Sequence, residues 1–300
     1  MLLKNHVFSV VGGDLRHAHL ANSLADLGCK VFGLFFDLDA YISDSVIKTA
    51  DMEKAFAESD VIILPLPTTL DNTTLNSSMS SEIIKLEELF SSIPCGTCVL
   101  GGMITPELSA LGAKYGVVIT DYFEREEFKI LNAIPTAEGA VALAMEELPC
   151  TIFERPCAVI GCGRTGRAIS RLLHSMGADV FTFARKQSDL AWIRSCGCHA
   201  VHLSALPLSA DRFDLIINTA PAQLLCEEIL TKLKRDCLVI DISSKPGGVD
   251  FETAKQLGIR TIWALSLPGK AAPLTAGEII KDTVINIISE LEQQHSSALC

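Results

Sequence analysis

Three hundred residues are enough for two domains. With 49% hydrophobic residues and a mean hydropathy of +0.34, the chain can bury sizeable cores, which excludes a disordered protein. A formal net charge of −11 argues against nucleic acid or an anionic membrane as the main partner, while a small acidic substrate needs only a local group of cations. No apolar run reaches membrane-spanning length, and Met1-Leu2-Leu3-Lys4-Asn5-His6 lacks the apolar core of a secretory leader, so the expected location is the cytoplasm.

The N-terminal part alternates strand and helix. His6 to Val11 reads as a strand, Asp14 to Leu27 as a helix ended by Gly28, and Lys30 to Leu34 as a second strand. Asp60 to Leu64 is a third strand, ended by Pro65. Ser81 to Phe90 reads as a helix, Thr97 to Leu100 as a strand, Pro106 to Lys114 as a helix and Gly116 to Thr120 as a strand. Repeated β-α units with apolar strands predict a parallel, doubly wound sheet, Rossmann-like or flavodoxin-like. Glu126 to Glu147 reads mostly as helix, with Pro135 expected to kink it or to open a fresh first turn.

The next segment is the most specific. Cys157-Ala158-Val159-Ile160 leads into Gly161-Cys162-Gly163-Arg164-Thr165-Gly166, and an amphipathic helix follows. In a Gly-x-Gly-x-x-Gly turn between strand and helix, Gly161 makes the tight turn and Gly163 lets the backbone approach a pyrophosphate. Gly166 lets the helix lie close on the sheet, and the N–H groups of the helix start hold the anion. A second strand, Asp179 to Phe183, arrives on schedule. At its end an NAD site wants an acid for the ribose 2′-OH, but the chain offers Ala184-Arg185-Lys186. Two cations and no carboxylate suit a 2′-phosphate, hence NADP, and Arg164 can reach the same phosphate or the pyrophosphate. The bland alternative is a solvated turn before a helix capped by Ser188.

Later strands are expected at Ala200 to Leu203, Asp214 to Asn218, Leu238 to Ile242 and Arg260 to Ala264, then a long helix from Leu274 to Gln293. The domains are thus 1–135, completed by a C-terminal helix over 274–300, a connecting helix over 136–150, and a Rossmann NADP-binding domain over 151–273. The site is expected in a cleft between them, on the loops that follow the strands.

Those loops name the candidates. Gly12-Gly13-Asp14-Leu15-Arg16 offers backbone N–H groups and a cation for a substrate carboxylate, with Asp14 equally suited to capping the helix. Pro65 to Thr69, containing Thr68, and Gly101-Gly102-Met103 flank it in the sheet order. On the nucleotide side lie Asn218-Thr219-Ala220-Pro221, Ser243-Ser244-Lys245-Pro246 and Leu267-Pro268-Gly269-Lys270. Lys245, Lys270 and Arg16 are the cations best placed for an anionic substrate. Glu138 reads as the acid in the first turn of the connecting helix, where it favours the dipole, or as a site residue; Glu124 reads as a surface partner of Arg125. None of the seven histidines lies on a loop near the expected nicotinamide, which disfavours a D-2-hydroxy-acid dehydrogenase. The eleven cysteines read as reduced, and Cys95-Gly-Thr-Cys98 has no second pair at zinc spacing, so no metal is expected.

At this point the chain resembles the A-subunit family of the dipicolinate synthases of spore-forming bacteria. The resemblance runs over nearly the whole length. It rests on Val11-Gly12-Gly13-Asp14-x-Arg16, Ile62-Ile63-Leu64-Pro65, Ile134-Pro135-Thr136-x-Glu138-Gly139 and the generic glycine fingerprint. More specific are Ser244-x-Pro246-Gly247-Gly248-x-Asp250-Phe251 and Leu267-Pro268-Gly269-x-x-Ala272-Pro273-x-Thr275-Ala276-Gly277. The resemblance implies NADP-dependent dehydrogenation of a dihydro- or hydroxytetrahydro-dipicolinate, made in the lysine pathway, to dipicolinate during sporulation. It implies the mother-cell cytoplasm and a B subunit of flavoprotein-like fold; homo-oligomerisation is left open. On that reading Arg16 with Lys245 or Lys270, and the N–H groups of Gly12, Gly13 or Gly102, hold the dicarboxylate. Glu138 or Glu124 takes any proton that needs a base. A non-catalytic NADP-binding scaffold for the B chain is the alternative from another class.

Overall fold

The computed structural model describes residues 3–38 and 41–298. They divide into two compact units, Met1–Leu131 with Ala272–Cys300, and Asn132–Ala271. The chain passes between the units inside one helix, α5 (Glu126–Glu147), which runs unbroken through Pro135. Proline brings no N–H, so the Leu131 carbonyl loses its helical donor. One residue on, Thr136 Oγ1 donates to the Asn132 carbonyl at 2.7 Å. The division between Leu131 and Asn132 thus falls at the turn where the helix ladder is interrupted.

Unit 1 is a six-stranded parallel sheet built from β1 (Val7–Val11), β2 (Lys30–Leu34), β3 (Ile47–Thr49), β4 (Val61–Ile63), β5 (Cys98–Gly101) and β6 (Ile119–Asp121). Its order is β3-β2-β1-β4-β5-β6. Helix α1 (Leu15–Asp26) follows β1, and α12 (Pro273–Ala298) returns from the end of the chain to pack on it. Leu20 and Leu24 of α1 meet Ile280, Val284 and Ile287 of α12 at helical spacing, each such side chain contributing roughly 1.5–3 kcal/mol of burial. Gly277 makes the close approach: a Cβ there would stand 2.5 Å from the Arg16 carbonyl oxygen.

Unit 2 repeats the order with β7 (Pro156–Ile160), β8 (Asp179–Ala184), β9 (His199–His202), β10 (Leu215–Asn218), β11 (Leu238–Asp241) and β12 (Arg260–Trp263). They lie as β12-β11-β10-β7-β8-β9. Counted within its own unit, each sheet runs 3-2-1-4-5-6, the doubly wound Rossmann order and not the flavodoxin one. The Leu-Pro-Gly segment forms the short α11 (Leu267–Ala271) rather than a loop and packs on α5, where a Cβ on Gly139 would lie 3.0 Å from that of Ala271. The long Leu-Pro-Gly to Thr-Ala-Gly string therefore serves both units, its first half against α5 and its second against α1. Several cysteines stand as small apolar groups within the sheet; burial pushes the thiols of Cys157 and Cys237 up to about 12.

The strands match the sequence expectations to within about two residues, with exceptions in unit 1. The helix expected over Ser81 to Phe90 is only α3 (Leu86–Ser91), because Lys85 bridges Thr74 in extended conformation. β3 and α2 (Met52–Glu58) were not anticipated, although Asp51 caps α2 by accepting from the Lys54 N–H at 3.0 Å. The C-terminal helix expected over 274–300 begins at Pro273, and its last two residues lie outside the described residues.

Candidate functional site

In a sheet of this order, ligands collect at the switch point, where the chain turns outward from the first strand in both directions. In unit 2 that point is bounded by the loops after β7 and β10. Gly161 sits at φ +103°, a left-handed conformation few side chains adopt, and a Cβ there would also strike Thr219 Oγ1 at 2.4 Å. A Cβ on Gly166 would lie 2.2 Å from the Gly161 carbonyl oxygen, so α6 (Arg164–Ser175) packs directly on the loop. Gly163 differs: a Cβ there would meet nothing within 4 Å. It is also the N-cap of α6, and no side chain caps the helix, so the first-turn N–H groups, Thr165 among them, face open space. Two glycines are required by packing and the third by nothing in the protein itself. That arrangement fits a phosphate cradle.

Arg185 and Lys186 follow β8, both exposed, and Lys186 rather than Ser188 is the N-cap of α7 (Gln187–Ser195), again with no side-chain cap. On the other flank, the side chains expected to touch a nucleotide are engaged elsewhere. Asn218 is fully buried; its Nδ2 donates to the Ala220 carbonyl (3.0 Å) and to Asp241 Oδ1 (2.9 Å), and its Oδ1 accepts from the Ala220 N–H. Ser243 donates both N–H and hydroxyl to Asp241 Oδ1, while the Gly248 N–H donates to Oδ2 at 2.6 Å. Trp263 Nε1 donates to the Ser243 carbonyl. Thr219 Oγ1 donates to Ile160 O at 2.9 Å, and Pro221 is exposed at the loop tip. Asn218, Thr219 and Ser243 therefore shape the rim of the loop through a buried network centred on Asp241. Sequence reading missed Asp241, though a carboxylate ending the apolar run Leu-Val-Ile-Asp was a usable signal: a buried charge must collect donors.

In unit 1 the switch point lies between the loops after β1 and β4. Here the expected backbone donors are taken. The N–H of Gly12 donates to Leu34 O (2.9 Å), that of Gly13 to Asn76 O (2.9 Å) and that of Gly102 to Pro65 O (3.1 Å). Thr68 is fully buried, its hydroxyl within hydrogen-bond reach of the Pro65 and Gly102 carbonyls. These four are framework, which corrects the expectation that they hold a carboxylate. Asp14 is the N-cap of α1 and grips Arg16 in a fork, Nε to Oδ1 at 2.9 Å and Nη2 to Oδ2 at 2.8 Å. Arg16 Nη2 also donates to the Leu66 carbonyl, so Nη1 is the end of the guanidinium left over. The Arg16 side chain is 9% exposed and that of Asp14 35%.

Behind this pair lies His17, fully buried. The Tyr122 hydroxyl donates to Leu64 O at 3.1 Å, so in its 3.4 Å contact with His17 it is Nε2 that carries the hydrogen. Nδ1 then faces Asp14 Oδ1 at 3.5 Å, without a hydrogen bond of its own. Burial holds His17 below its ordinary value, against the pull of Asp14. For Asp14, burial pushes upward, but the His17 and Arg16 contacts outweigh it and hold the carboxyl well below the usual range. Asp14 thus stays ionised and orients Arg16; it is no general base. His17 and Tyr122 were not singled out in the sequence.

The remaining candidates stand apart. Glu138 is exposed in the middle of α5, not in a first turn. Glu124 pairs with Lys129 at 2.7 Å rather than with Arg125, which bonds Glu127 and Glu290. Lys245 is exposed after β11, and Lys270 is exposed on α11 rather than on a loop.

Comparison with known proteins bears on these assignments. Residues 7–123 match the family model for the N-terminal domain of the dipicolinate synthase A subunit. The chain is 30% identical over 287 residues to the A subunit of dipicolinate synthase from Bacillus subtilis (strain 168), covering 95% of this chain and 97% of that one. The crystal structure of the corresponding A subunit from Bacillus halodurans superposes with a TM-score of 0.88 at 31% identity, over 96% of this chain and 99% of that one. A transhydrogenase from Sinorhizobium meliloti shares the fold, with a TM-score of 0.72 at 14% identity over 95% and 94% of the two chains.

Proposed function

The chain belongs to the A-subunit family of the dipicolinate synthases, and we propose that it is the NADP-dependent oxidoreductase component that forms dipicolinate by dehydrogenating a dihydro- or hydroxytetrahydro-dipicolinate. One observation carries the proposal: a relative named for this activity aligns over 95% of the chain. The glycine loop supports the cofactor, because Gly163 has open space where a pyrophosphate would approach. Exposed Arg185 and Lys186 at the end of β8 support the 2′-phosphate, and Arg164 at the start of α6 adds a third cation.

The labour divides between the units. Unit 2 holds the dinucleotide on the α6 N-terminus, and the Asp241 network fixes the loops after β10 and β11 beside it. The nicotinamide, when bound, supplies the hydride acceptor. Unit 1 holds the ring dicarboxylate: Asp14 fixes Arg16 so that Nη1 meets a substrate carboxylate, and Lys245 and Lys270 supply further positive charge. Aromatisation provides much of the driving force, so the residues mainly orient the ring. Glu138 takes the proton that leaves the neighbouring carbon; Glu124, held by Lys129, does not. The naming of the relatives as one of two kinds of chain supports a B-subunit partner. The mother-cell cytoplasm is the site of action on this reading, and no described helix is long and apolar enough to cross a membrane.

The test is NADP+ reduction by the purified chain fed aspartate semialdehyde, pyruvate and the synthase that condenses them, with and without the B subunit. Dipicolinate formation with matching NADPH is expected in at least one mixture; none in either would overturn the proposal. Glu138→Gln should lower kcat by about a hundredfold, the usual contribution of a positioned base.

A further inference from the structure

The first turn of α7 carries a carboxylate, Asp189, three residues past the N-cap Lys186. Residues at this spacing share a helix face, so the acid lies on the side where Lys186 begins the helix. Unopposed, it would repel a phosphate brought to Arg185 and Lys186 and would compete with it for the positive end of the helix. It is opposed. Arg167, in the first turn of α6, donates Nη2 to Asp189 Oδ1 at 3.0 Å and Nε to the carbonyl of Cys162 in the glycine loop at 3.0 Å. The guanidinium also lies over Trp192, 5.3 Å from the ring centroid, which fixes its plane. Cys162 Sγ adds a contact to the Asp189 carbonyl at 3.8 Å.

We propose that Arg167 and Asp189 form a specificity-determining pair: Arg167 neutralises the acid at the start of α7 and so allows Arg185 and Lys186 to hold a 2′-phosphate. This deepens, and rests on, the NADP reading. Arg167 is a positioning residue, acting on the phosphate through Asp189. Removing it does more than delete a surface cation, because it releases a carboxylate beside the phosphate.

Calorimetric titration of the full chain with 2′,5′-ADP and with 5′-AMP tests the pair without any turnover. Both side chains of the pair are partly exposed, so the effect is modest. Arg167→Gln should weaken 2′,5′-ADP about fivefold and 5′-AMP by less than about twofold. Asp189→Asn should tighten 2′,5′-ADP, and the double variant should return to within about twofold of wild type. Equal weakening of both nucleotides by Arg167→Gln, or no rescue by Asp189→Asn, would overturn the inference. Asp189→Asn guards against a misfolded Arg167 variant, since looser 2′,5′-ADP binding there would overturn it alone. Wild type binding both probes alike would overturn the NADP reading and the inference together. Discrimination abolished by Arg185→Asp but untouched by Arg167→Gln would overturn only the inference.

Discussion

The two units have the same strand order and open with a glycine turn after the first strand, yet the turns are finished in opposite ways. In unit 2 the loop is left open: Gly163 has nothing within 4 Å of a Cβ, and no side chain caps α6. In unit 1 the loop is closed: Gly12 and Gly13 give their N–H groups to neighbouring carbonyls, and Asp14 caps α1. The same topology thus yields a site where backbone N–H groups meet an anion and another where a buried guanidinium is presented by a carboxylate. What distinguishes them is the residue that follows the glycines. Asp14 supplies internally the negative charge that the α6 N-terminus lacks.

The sharpest way to break this contrast is a methyl group at the third glycine of the open loop. Gly166→Ala would place a Cβ 2.2 Å from the Gly161 carbonyl oxygen, and backbone cannot yield as a side-chain tip does. We expect loss of nucleotide binding with a stability cost of about 3 kcal/mol, read by calorimetry and thermal melting. Gly163→Ala, in open space, should leave the melting temperature nearly unchanged and still weaken the nucleotide. If both variants behaved alike, the distinction between a packing glycine and a ligand glycine would be wrong.

The closed loop answers to a different substitution. Arg16→Ala removes a nearly buried guanidinium and leaves Asp14 without its fork. The expected cost is about 2 kcal/mol, below that of a fully buried pair because the Asp14 side chain is 35% exposed. Substrate KM should rise while NADP binding is unchanged; an equal loss of both would deny unit 1 its separate role.

Much of this was legible in the sequence, and the part that was not has a common cause. Strand positions, the glycine loop and Arg185-Lys186 follow from local pattern, because each is decided by neighbours along the chain. The state of a hydrogen-bonding group is decided by partners far away. That the Gly13 N–H is taken by Asn76, or that Thr68 faces Gly102, depends on segments dozens of residues off. Likewise Glu124 stood beside Arg125 in sequence, but the turn over Tyr122–Glu124 sends it to Lys129. His17 looked like one histidine among seven, and only the fold shows it walled in by Tyr122 and Asp14.

The closed loop also carries a pH signature that the open one lacks. His17 is held below its ordinary value of 6.5, so below that pH the unfolded chain takes up a proton that the folded chain resists, and stability falls. Asp14 is depressed as well. Its contribution is complete above the ordinary value of 3.8 and is lost as pH falls below it. Asp14→Asn should be less stable than wild type near neutrality, and the gap should shrink between about pH 5 and about pH 3. A gap constant across that range would mean that Asp14 is not held in its charged form by the fold.

The smallest effect is expected at Glu124, and it bears on which acid belongs to the site. Glu124 is exposed and tied to Lys129 at 2.7 Å on the same surface. Exposed pairs of this kind contribute about 0–1 kcal/mol, because the Coulomb gain in water is offset by the ordering of two long side chains. Glu124→Gln should therefore leave kcat within about twofold of wild type. Lys129→Gln separates the remaining possibilities, because it frees the carboxylate without removing it. If Glu124 were the base, releasing it from a cation would raise its proton affinity and shift the acid limb of the kcat profile to higher pH. An unshifted limb in Lys129→Gln, together with a near-normal Glu124→Gln, leaves Glu138 as the carboxylate to which the proton must go.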